Sequence, residues 1–562
     1  MVDLNGGPLV SSAANPKDLR FLVMFSASAA MRARIAAALA FACAAVLVGC
    51  DIAPADDATE PVRIVVGTTD PVTSLDPAGA YDSGSFAAMT QLYPSLLTTR
   101  PGGDELELDI ATSAEFDDAG DYVVTLKSGL RFANGNKLTS GDVKFSFDRI
   151  AAIGSDTGPL ALLGNLDAVE TPDASTIVFR LKDGGDQTFP LVLSSPAGLI
   201  VDEETFSADA ITSDDDIVKG GGFAGPYALT EFRPSERAIF VPNTNYVGVL
   251  GAPRNDEVEL RFFGASADLA REVREHTVDV AAGSLAVSDL AELHATDDVR
   301  VIDGPGGEIR YLVFDFDSMP FGGKQDDADP AKALAVRQAI ADVVDREAIS
   351  EEVYAGAYVA LFGFVASSFD GATDSLLELY GDGDGGPDVK RAAERLEAAG
   401  VTTPVSVELH YTSDHYGESS AAEYEALAQQ LVESDLFRVE LSAAPWEEYA
   451  TQRTTGAYPI YQLGTFPDYG DADAYLTPFF ASGNVLKNHY DDADVEAALD
   501  AQRTEEDPDA RAAILEEIQV RLAERLPTLP LLQGTRHLVV VTGVSGAVLD
   551  DSFALRFGSL NK

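Results

Sequence analysis

The stretch from Val405 to Leu441, VSVELHYTSDHYGESSAAEYEALAQQLVESDLFRVEL, carries the pattern that decides the fold class. Residues Val405–Tyr411 alternate between apolar and polar side chains, which predicts a strand with one buried face. Residues Ala421–Glu433 then place four side chains on one helical face, namely Tyr424, Leu427, Ala428 and Leu431. Residues Phe437–Leu441 return to a strand pattern. This strand–helix–strand order favours a parallel α/β sheet whose faces are covered by helices.

Further helices are predicted on both sides of this unit. Asp329-Pro330 supplies an N-cap and a first-turn proline for a helix that continues with apolar residues at every fourth position. A long amphipathic helix is predicted over Pro508–Arg525, close to the end of the chain. In the first half, Ser85–Leu97 has a helical pattern, although Pro94 could end that helix early.

The overall composition excludes several classes of protein. The chain has 562 residues, with 92 Asp and Glu against 39 Lys and Arg, and a formal net charge of -53. Such an acidic chain repels phosphate backbones, so we expect no nucleic-acid partner. A hydrophobic fraction of 46% is ordinary for a globular protein, and the length is sufficient for two to four domains. Two cysteines cannot form a disulfide framework or a four-cysteine zinc site.

The N-terminal region has the pattern of an export signal. The basic segment Met31–Arg34 precedes an apolar run over Ile35–Gly49, which is short for a membrane span. Leu47–Cys50, with the sequence LVGC, resembles a bacterial lipobox, in which Cys50 carries a lipid. An ordinary signal peptide with an incidental cysteine is the alternative. We expect residues 1–49 to be an N-terminal extension and signal, with translation starting at Met1, Met24 or Met31, and residues 50–60 to be a tether.

The sequence contains none of the common catalytic or metal-binding motifs. Its six histidines form no HExxH pattern, and His410 and His415 are badly spaced for a metal. There is no GxSxG motif. The run Gly381–Gly386 formally satisfies GxGxxG, but no strand leads into it and its aspartates would repel a pyrophosphate, so a solvated acidic loop is the better interpretation. We therefore expect no catalytic residue, no metal and no cofactor.

One segment concentrates the residue types that bind small ligands. Trp446–Phe480 contains the only tryptophan of the chain, one arginine, five tyrosines and three aspartates. Aromatic side chains provide apolar walls, and single charged groups fix the polar ends of a small ligand. Core aromatics with surface charges are the alternative interpretation of the same segment.

Several motifs together resemble one family, the dipeptide- and oligopeptide-binding solute-binding proteins of ABC importers (family 5). Leu126–Val143, LKSGLRFANGNKLTSGDV, is similar to its most recognisable stretch. Ser74–Pro77 (SLDP), Gly225–Tyr227 (GPY) and Val336–Arg346 resemble three further family motifs. Asp468–Asp471 (DYGD) is similar to a fourth, although it lacks that motif's prolines.

The resemblance implies an α/β periplasmic-binding-protein-like fold with two lobes, an extra α+β domain inserted in the first lobe, and a ligand cleft between the lobes. The expected first lobe comprises residues 61–108, 220–308 and 531–562. The expected inserted domain comprises residues 109–219, and the expected second lobe residues 309–530. Ligand binding is expected to close the two lobes by a hinge motion.

The resemblance also implies ligand-binding residues. Asp468 matches the aspartate that holds a peptide's α-ammonium group, and Trp446 matches an aromatic residue of the cavity. Arg453 falls where peptide binders place a basic residue near the ligand carboxylate. Gln462 falls at a second such position, usually arginine, which leaves one fewer positive charge. Two more residues are expected to contribute, Tyr469 beside the aspartate and Ser85 from the first lobe.

The implied function is solute binding without chemistry. We expect a monomeric, lipid-anchored protein at the extracytoplasmic face of the membrane, or in the periplasm, that delivers a short peptide or similar solute to ABC permease subunits. The same scaffold also accommodates sugars, opines, metal chelates and haem. The residues also leave open a hydrolase that uses Asp468 and Asp471 as acid and base, and a sensor that presents its ligand to a receptor.

Overall fold

The computed structural model describes residues 61–103, 105–283, 285–304, 306–417, 419–549 and 555–562. The predicted signal, the tether and Cys50 lie outside the described residues and stay predictions. Across the part of the chain that is described, no helix combines the length and the apolar character that crossing a membrane requires.

The strands and helices alternate along most of the chain. The strands are β1 Arg63–Thr68, β2 Leu97–Thr99, β3 Leu106–Leu108, β4 Ala111–Phe116, β5 Tyr122–Leu126, β6 Leu166–Glu170, β7 Thr176–Leu181, β8 Tyr227–Arg233, β9 Arg237–Pro242, β10 Glu257–Phe262, β11 Val280–Ala282, β12 Val299–Gly304, β13 Ile309–Phe314, β14 Tyr358–Ala360, β15 Val405–Thr412, β16 Phe437–Ala444, β17 Ile460–Thr465, β18 Thr528–Gly534 and β19 Arg536–Val541. The α-helices are α1 Ser83–Leu92, α2 Ser140–Ile153, α3 Phe189–Val192, α4 Asp214–Gly220, α5 Ser266–Arg274, α6 Val287–His294, α7 Pro330–Val343, α8 Arg346–Tyr354, α9 Val389–Ala398, α10 Ser420–Glu433, α11 Trp446–Arg453, α12 Asp473–Phe480, α13 Ala493–Thr504 and α14 Pro508–Arg525.

The second lobe is built on a mixed six-stranded sheet with the order β14-β18-β13-β17-β15-β16. β15 and β16 run parallel over their whole length, and α10 connects them, which confirms the strand–helix–strand prediction. β13, at the centre, is fully buried and antiparallel to both β17 and β18.

The first lobe has a seven-stranded sheet with the order β12-β19-β11-β1-β10-β9-β8. Its strands come from three separate segments of the chain, the last of which is β19. β18 pairs with β13 and β14 of the other sheet up to Gly534. The chain therefore passes from one sheet to the other at Thr535, between β18 and β19.

A four-stranded antiparallel sheet, β4-β5-β7-β6, forms the centre of the inserted domain. The segment Leu138–Val143, LTSGDV, starts α2 with a capping box, in which Thr139 and Asp142 each bond the other's backbone. This cap fixes the start of α2, so that Phe147 packs against Phe179 of β7 at 5.1 Å between ring centroids. This part of the family-like stretch Leu126–Val143 thus contributes to the folding of the inserted domain.

A fully buried ion pair joins the first lobe to the inserted domain. Arg149 of α2 donates two hydrogen bonds to Asp76, at 2.6 and 2.9 Å, and both side chains are at most 2% exposed. Asp76 also accepts hydrogen bonds from the backbone N–H groups of Ala78 and Thr212, at 3.0 and 2.7 Å. These three partners, Arg149, Ala78 and Thr212, lie in separate segments of the chain. Asp76 therefore connects the first lobe to the inserted domain.

Candidate functional site

A cavity of about 830 Å³ lies between the two lobes, and we call it the interlobe cavity. The first lobe contributes Tyr81, just before α1, and Phe86 within it. The second lobe contributes residues 464–470, at the end of β17 and in the loop that follows. The inserted domain contributes residues of segments 161–165 and 182–196. The volume falls within the range of small-molecule sites in proteins.

The first-lobe wall of the cavity is held by the N-cap of α1. Asp82 accepts a hydrogen bond from the backbone N–H of Ser85 at 2.8 Å, and it also accepts one from the hydroxyl of Thr73. Ser85 is fully buried, and its hydroxyl oxygen accepts the backbone N–H of Thr73 at 2.8 Å. Ser85 therefore braces the turn before α1 and does not line the cavity, whereas its neighbours Ser83 and Phe86 do.

Asp468 lies in the loop after β17, where it faces the first lobe across the cavity. The hydroxyl of Tyr81 donates a hydrogen bond to its Oδ1, across 387 residues of sequence. Burial of the carboxyl group raises the pKa of Asp468 to about 6, and the bond from Tyr81 acts in the opposite direction. Among the described residues, Asp468 takes part in no ion pair. The hydrogen-bond donor that contacts this carboxylate, the hydroxyl of Tyr81, is uncharged.

Tyr469 follows Asp468 and joins the second lobe to the inserted domain. Its ring packs against the hydrophobic core of that domain and also lines the cavity. Its hydroxyl donates to Asp473 at 3.0 Å, and Asp473 also accepts hydrogen bonds from Thr477 and Gln502. Asp473 is thus fully engaged in holding Tyr469 and α13 in position, although it reaches the cavity wall.

Asp471 forms an ion pair outside the interlobe cavity. Arg511 of α14 donates two hydrogen bonds to its carboxylate, both at 2.7 Å, and Asp471 is not among the residues that line the interlobe cavity. Asp468 and Asp471 therefore do not form the pair of cavity carboxylates that the hydrolase alternative requires.

The other three second-lobe candidates lie behind the cavity. Gln462 is 1% exposed, and its amide accepts the N–H of Thr412 at 3.1 Å and donates to Ser420 at 3.3 Å. Trp446 stacks on His415, with ring centroids 3.8 Å apart and planes inclined by 7°. Arg453 donates to the carbonyl oxygen of Val485 at 3.2 Å. None of the three lines the cavity, but Val485 does.

Two features of the site were missed by the sequence reasoning. Tyr81 is the partner of Asp468, and Arg503 of α13 forms an ion pair with Asp186 of the inserted domain at 2.6 Å. The carbonyl oxygen of Arg503 also accepts the N–H of Gln187 at 2.7 Å, which adds a backbone link between the second lobe and the inserted domain. The Asp-Ser N-cap pattern after Tyr81 locates the start of α1 in the sequence, but no local signal reveals contacts between lobes.

Comparisons with known proteins support this architecture. Residues 105–487 match the family model described as bacterial extracellular solute-binding proteins, family 5 middle. The probable D,D-dipeptide-binding periplasmic protein DdpA of Escherichia coli is 26% identical over 265 residues, which are 46% of this chain and 50% of DdpA. The chain thus spans half the length of that relative. The glutathione-binding protein GsiB of Salmonella typhimurium is 22% identical over 492 residues, which cover 84% of this chain and 89% of GsiB.

Solved structures show the same fold. The periplasmic binding protein DppA of Helicobacter pylori, in complex with the peptide STSA, is 18% identical, and the match covers 89% of this chain and 98% of DppA with a TM-score of 0.70. A dipeptide-binding protein of Pseudoalteromonas sp. SM9913, in complex with Met-Leu, is 17% identical over 89% of this chain and all of that protein, also with a TM-score of 0.70.

The family resemblance and the two-lobed fold are therefore confirmed. The family model covers more than half of the chain, and both lobes are present with a cavity between them. The relatives compared above are solute-binding proteins by name. The chain belongs to family 5 of the bacterial extracellular solute-binding proteins.

Proposed function

We propose that this protein binds a peptide or peptide-like solute in the interlobe cavity and delivers it to the permease of an ABC importer. The observation that carries the proposal is the position of Asp468, a carboxylate on the cavity wall whose described partner is the neutral hydroxyl of Tyr81. A primary ammonium group is a better partner for a half-buried carboxylate than a phenol, because the resulting hydrogen bond is charge-assisted. The relatives named for dipeptides and glutathione support this choice of ligand.

The carboxylate end of the solute is proposed to interact near Arg453. The Nε atom of Arg453 and the hydroxyl of Tyr311 are both buried, and neither has a hydrogen-bond partner among the described residues. Arg453 reaches the cavity lining through its bond to Val485, and Tyr311 does so through its ring contact with Phe479, at 6.2 Å between centroids. A small displacement of Val485 and Phe479 would expose these two donors, Arg453 Nε and the Tyr311 hydroxyl, to an anionic group in the cavity.

The remaining candidate residues differ in how they are proposed to reach the solute. Tyr469 is proposed to contact the solute directly, since it lines the cavity. Trp446, Gln462 and Ser85 are proposed to act only if lobe movement brings solute to them, because each packs inside its own lobe in this arrangement.

The cellular setting is proposed from the sequence. The basic and apolar segments before Cys50 support export and attachment to the membrane by lipid, and the name of the relative DdpA includes a periplasmic location. ABC permease subunits are the proposed partners. The alternative of a hydrolase has weaker support, because Arg511 holds Asp471 away from the cavity.

The affinity for an amine-bearing solute is expected to depend on pH. Binding an ammonium group requires ionised Asp468, whereas its pKa of about 6 in the free protein leaves it mostly protonated at pH 5. Because the free-state pKa is raised to about 6, the affinity is nearly complete at pH 7, is halved at pH 6 and falls further as the pH decreases below 6. We expect the Kd of a tripeptide to be about tenfold higher at pH 5 than at pH 7. Calorimetric titration between pH 5 and 7 measures this, and a Kd that is constant over this interval contradicts it.

The proposed function is tested by offering the purified protein a mixture of tripeptides and recording native mass spectra. We expect a one-to-one complex, and denaturation after prolonged incubation should release the peptide uncleaved. Release of cleaved fragments would favour the hydrolase alternative, and absence of any complex would contradict peptide binding.

A further inference from the structure

The inserted domain turns an apolar surface toward the interlobe cavity. Leu162, Leu191, Val192 and Pro196 line the cavity from this side, and Phe86 of α1 lines it from the first lobe. Leu162 and Leu191 are only partly buried by the protein itself, so each leaves apolar surface available to a bound molecule. These five residues are called the apolar wall below.

The apolar wall is supported by a packed core and does not depend on a bound solute for its shape. Phe189, next to Leu191 in sequence, is 2% exposed and packs against Phe179 at 5.3 Å and Tyr122 at 6.0 Å between ring centroids. Val192 belongs to the same hydrophobic core. A preformed apolar surface of this kind costs little to reorganise when an apolar group binds to it.

The charged groups beside the apolar wall are already engaged or balanced. Asp186 is paired with Arg503, and the ammonium group of Lys182 donates to the carbonyl oxygen of Gly164 at 2.6 Å. Asp183, adjacent to Lys182, brings a charge of the opposite sign. Two cations and two anions thus line this side of the cavity, which offers a charged ligand side chain no net charge of the opposite sign.

The apolar wall lines the same cavity as Asp468, the carboxylate that is proposed to bind the ligand's amino group. Tyr81, which bonds Asp468, lies five positions before Phe86 in the sequence, directly before Asp82, the N-cap of α1. Tyr469, which follows Asp468, packs against the core of the inserted domain. An extended peptide advances about 3.3–3.6 Å per residue, so the side chains of its first residues stay within the same cavity when the ammonium group is held at Asp468.

We propose that the apolar wall is a side-chain subsite that selects solutes carrying a large apolar side chain close to their free amino group. This inference rests on the proposed function, because it takes the amino group at Asp468 as the fixed end of the ligand. Its consequence is selectivity among peptides. Burying a leucine-sized side chain changes an equilibrium by about 10- to 100-fold, and a wall that covers only part of the side chain gives the lower end of that range.

The selectivity is tested with a panel of five tripeptides titrated into the protein at pH 7. The panel contains triglycine, the three peptides with one leucine at each position, and Gly-Asp-Gly. We expect Leu-Gly-Gly or Gly-Leu-Gly to bind about tenfold more tightly than triglycine, and Gly-Asp-Gly to bind no better than triglycine. A preference for Gly-Gly-Leu alone would overturn the subsite, because its leucine is the residue farthest from the amino group. Equal affinities across the panel would overturn the subsite while leaving peptide binding intact. Failure of every peptide to bind would instead contradict the proposed function.

A matched pair of variants assigns the preference to the wall. Leu162 and Leu160 lie in the same short 3-10 helix, Leu160–Leu163, but only Leu162 lines the cavity. We expect Leu162→Gln to remove most of the leucine preference, measured as the ratio of the Kd of triglycine to that of the leucine peptide, and Leu160→Gln to keep this ratio. A preference that is unchanged in Leu162→Gln, or an equal loss of affinity for all peptides, would overturn the proposal. If Leu162→Gln does not fold, as judged by circular dichroism, Leu191→Gln provides the same comparison.

Discussion

Replacing Asp468 by asparagine is expected to weaken binding of an amine-bearing peptide by about 100- to 1,000-fold at pH 7. The substitution keeps the shape of the side chain and its ability to accept the hydrogen bond from Tyr81, but it removes the negative charge. The ligand's ammonium group would then enter a partly desolvated cavity without a counter-charge, which is the costly arrangement. Calorimetric titration of one tripeptide into both proteins measures the difference.

Tyr81→Phe is the control for this substitution. It removes the hydroxyl that bonds Asp468 and leaves the carboxylate in place. A hydrogen bond to a charged group contributes about 1.5–3 kcal/mol, but Tyr81 already makes this bond before the solute binds. We therefore expect the affinity to change by no more than about tenfold, less than in Asp468→Asn. An Asp468→Asn variant that binds the peptide within threefold of the unmodified protein would exclude this carboxylate as the ammonium site.

Replacing Asp76 by asparagine is expected to lower the free energy of unfolding by about 3–5 kcal/mol. The carboxylate and Arg149 are both buried, so the substitution leaves an arginine charge in the core between the first lobe and the inserted domain. The asparagine also cannot accept all the hydrogen bonds that Asp76 now accepts from Arg149, Ala78 and Thr212. Urea unfolding followed by circular dichroism measures the loss.

Asp148→Asn is the matched control, since Asp148 lies beside Arg149 on α2. Its ion pair with Lys144 is solvent-exposed, with both side chains more than 40% accessible. Exposed ion pairs of this spacing contribute about 0.3–0.5 kcal/mol, so this substitution should be nearly neutral. Equal stability losses in the two variants would show that burial of the Asp76–Arg149 pair does not govern its contribution.

The fold could be predicted well from the sequence, because its main signals are local. The periodic stretch from Val405 to Leu441 predicts both β15 and β16 and the helix between them, and α14 has the predicted bounds Pro508–Arg525. The helix predicted over Ser85–Leu97 instead ends at Leu92, because Tyr93 adopts an extended conformation ahead of Pro94. The order of strands in the two sheets could not be predicted, since it depends on pairing between distant segments.

The candidate site could be predicted only in part, because lining a cavity depends on side-chain direction and on contacts between lobes. Asp468 and Tyr469 lie on the loop after β17 and reach the cavity. Gln462 lies within β17, where successive side chains alternate between faces, and its amide turns toward Thr412 and Ser420 inside the lobe. Tyr81 could not be found at all, since only the folded chain brings it to Asp468.

The central claim, that the interlobe cavity holds a solute by its amino group, is tested most directly by native mass spectrometry of the protein purified from its own host. The spectrum should contain a complex whose added mass, released on denaturation, belongs to a peptide or peptide-like molecule with a free amino group. The same preparation of Asp468→Asn should lack this complex. A retained solute without an amino group, or one retained equally by Asp468→Asn, would contradict the claim.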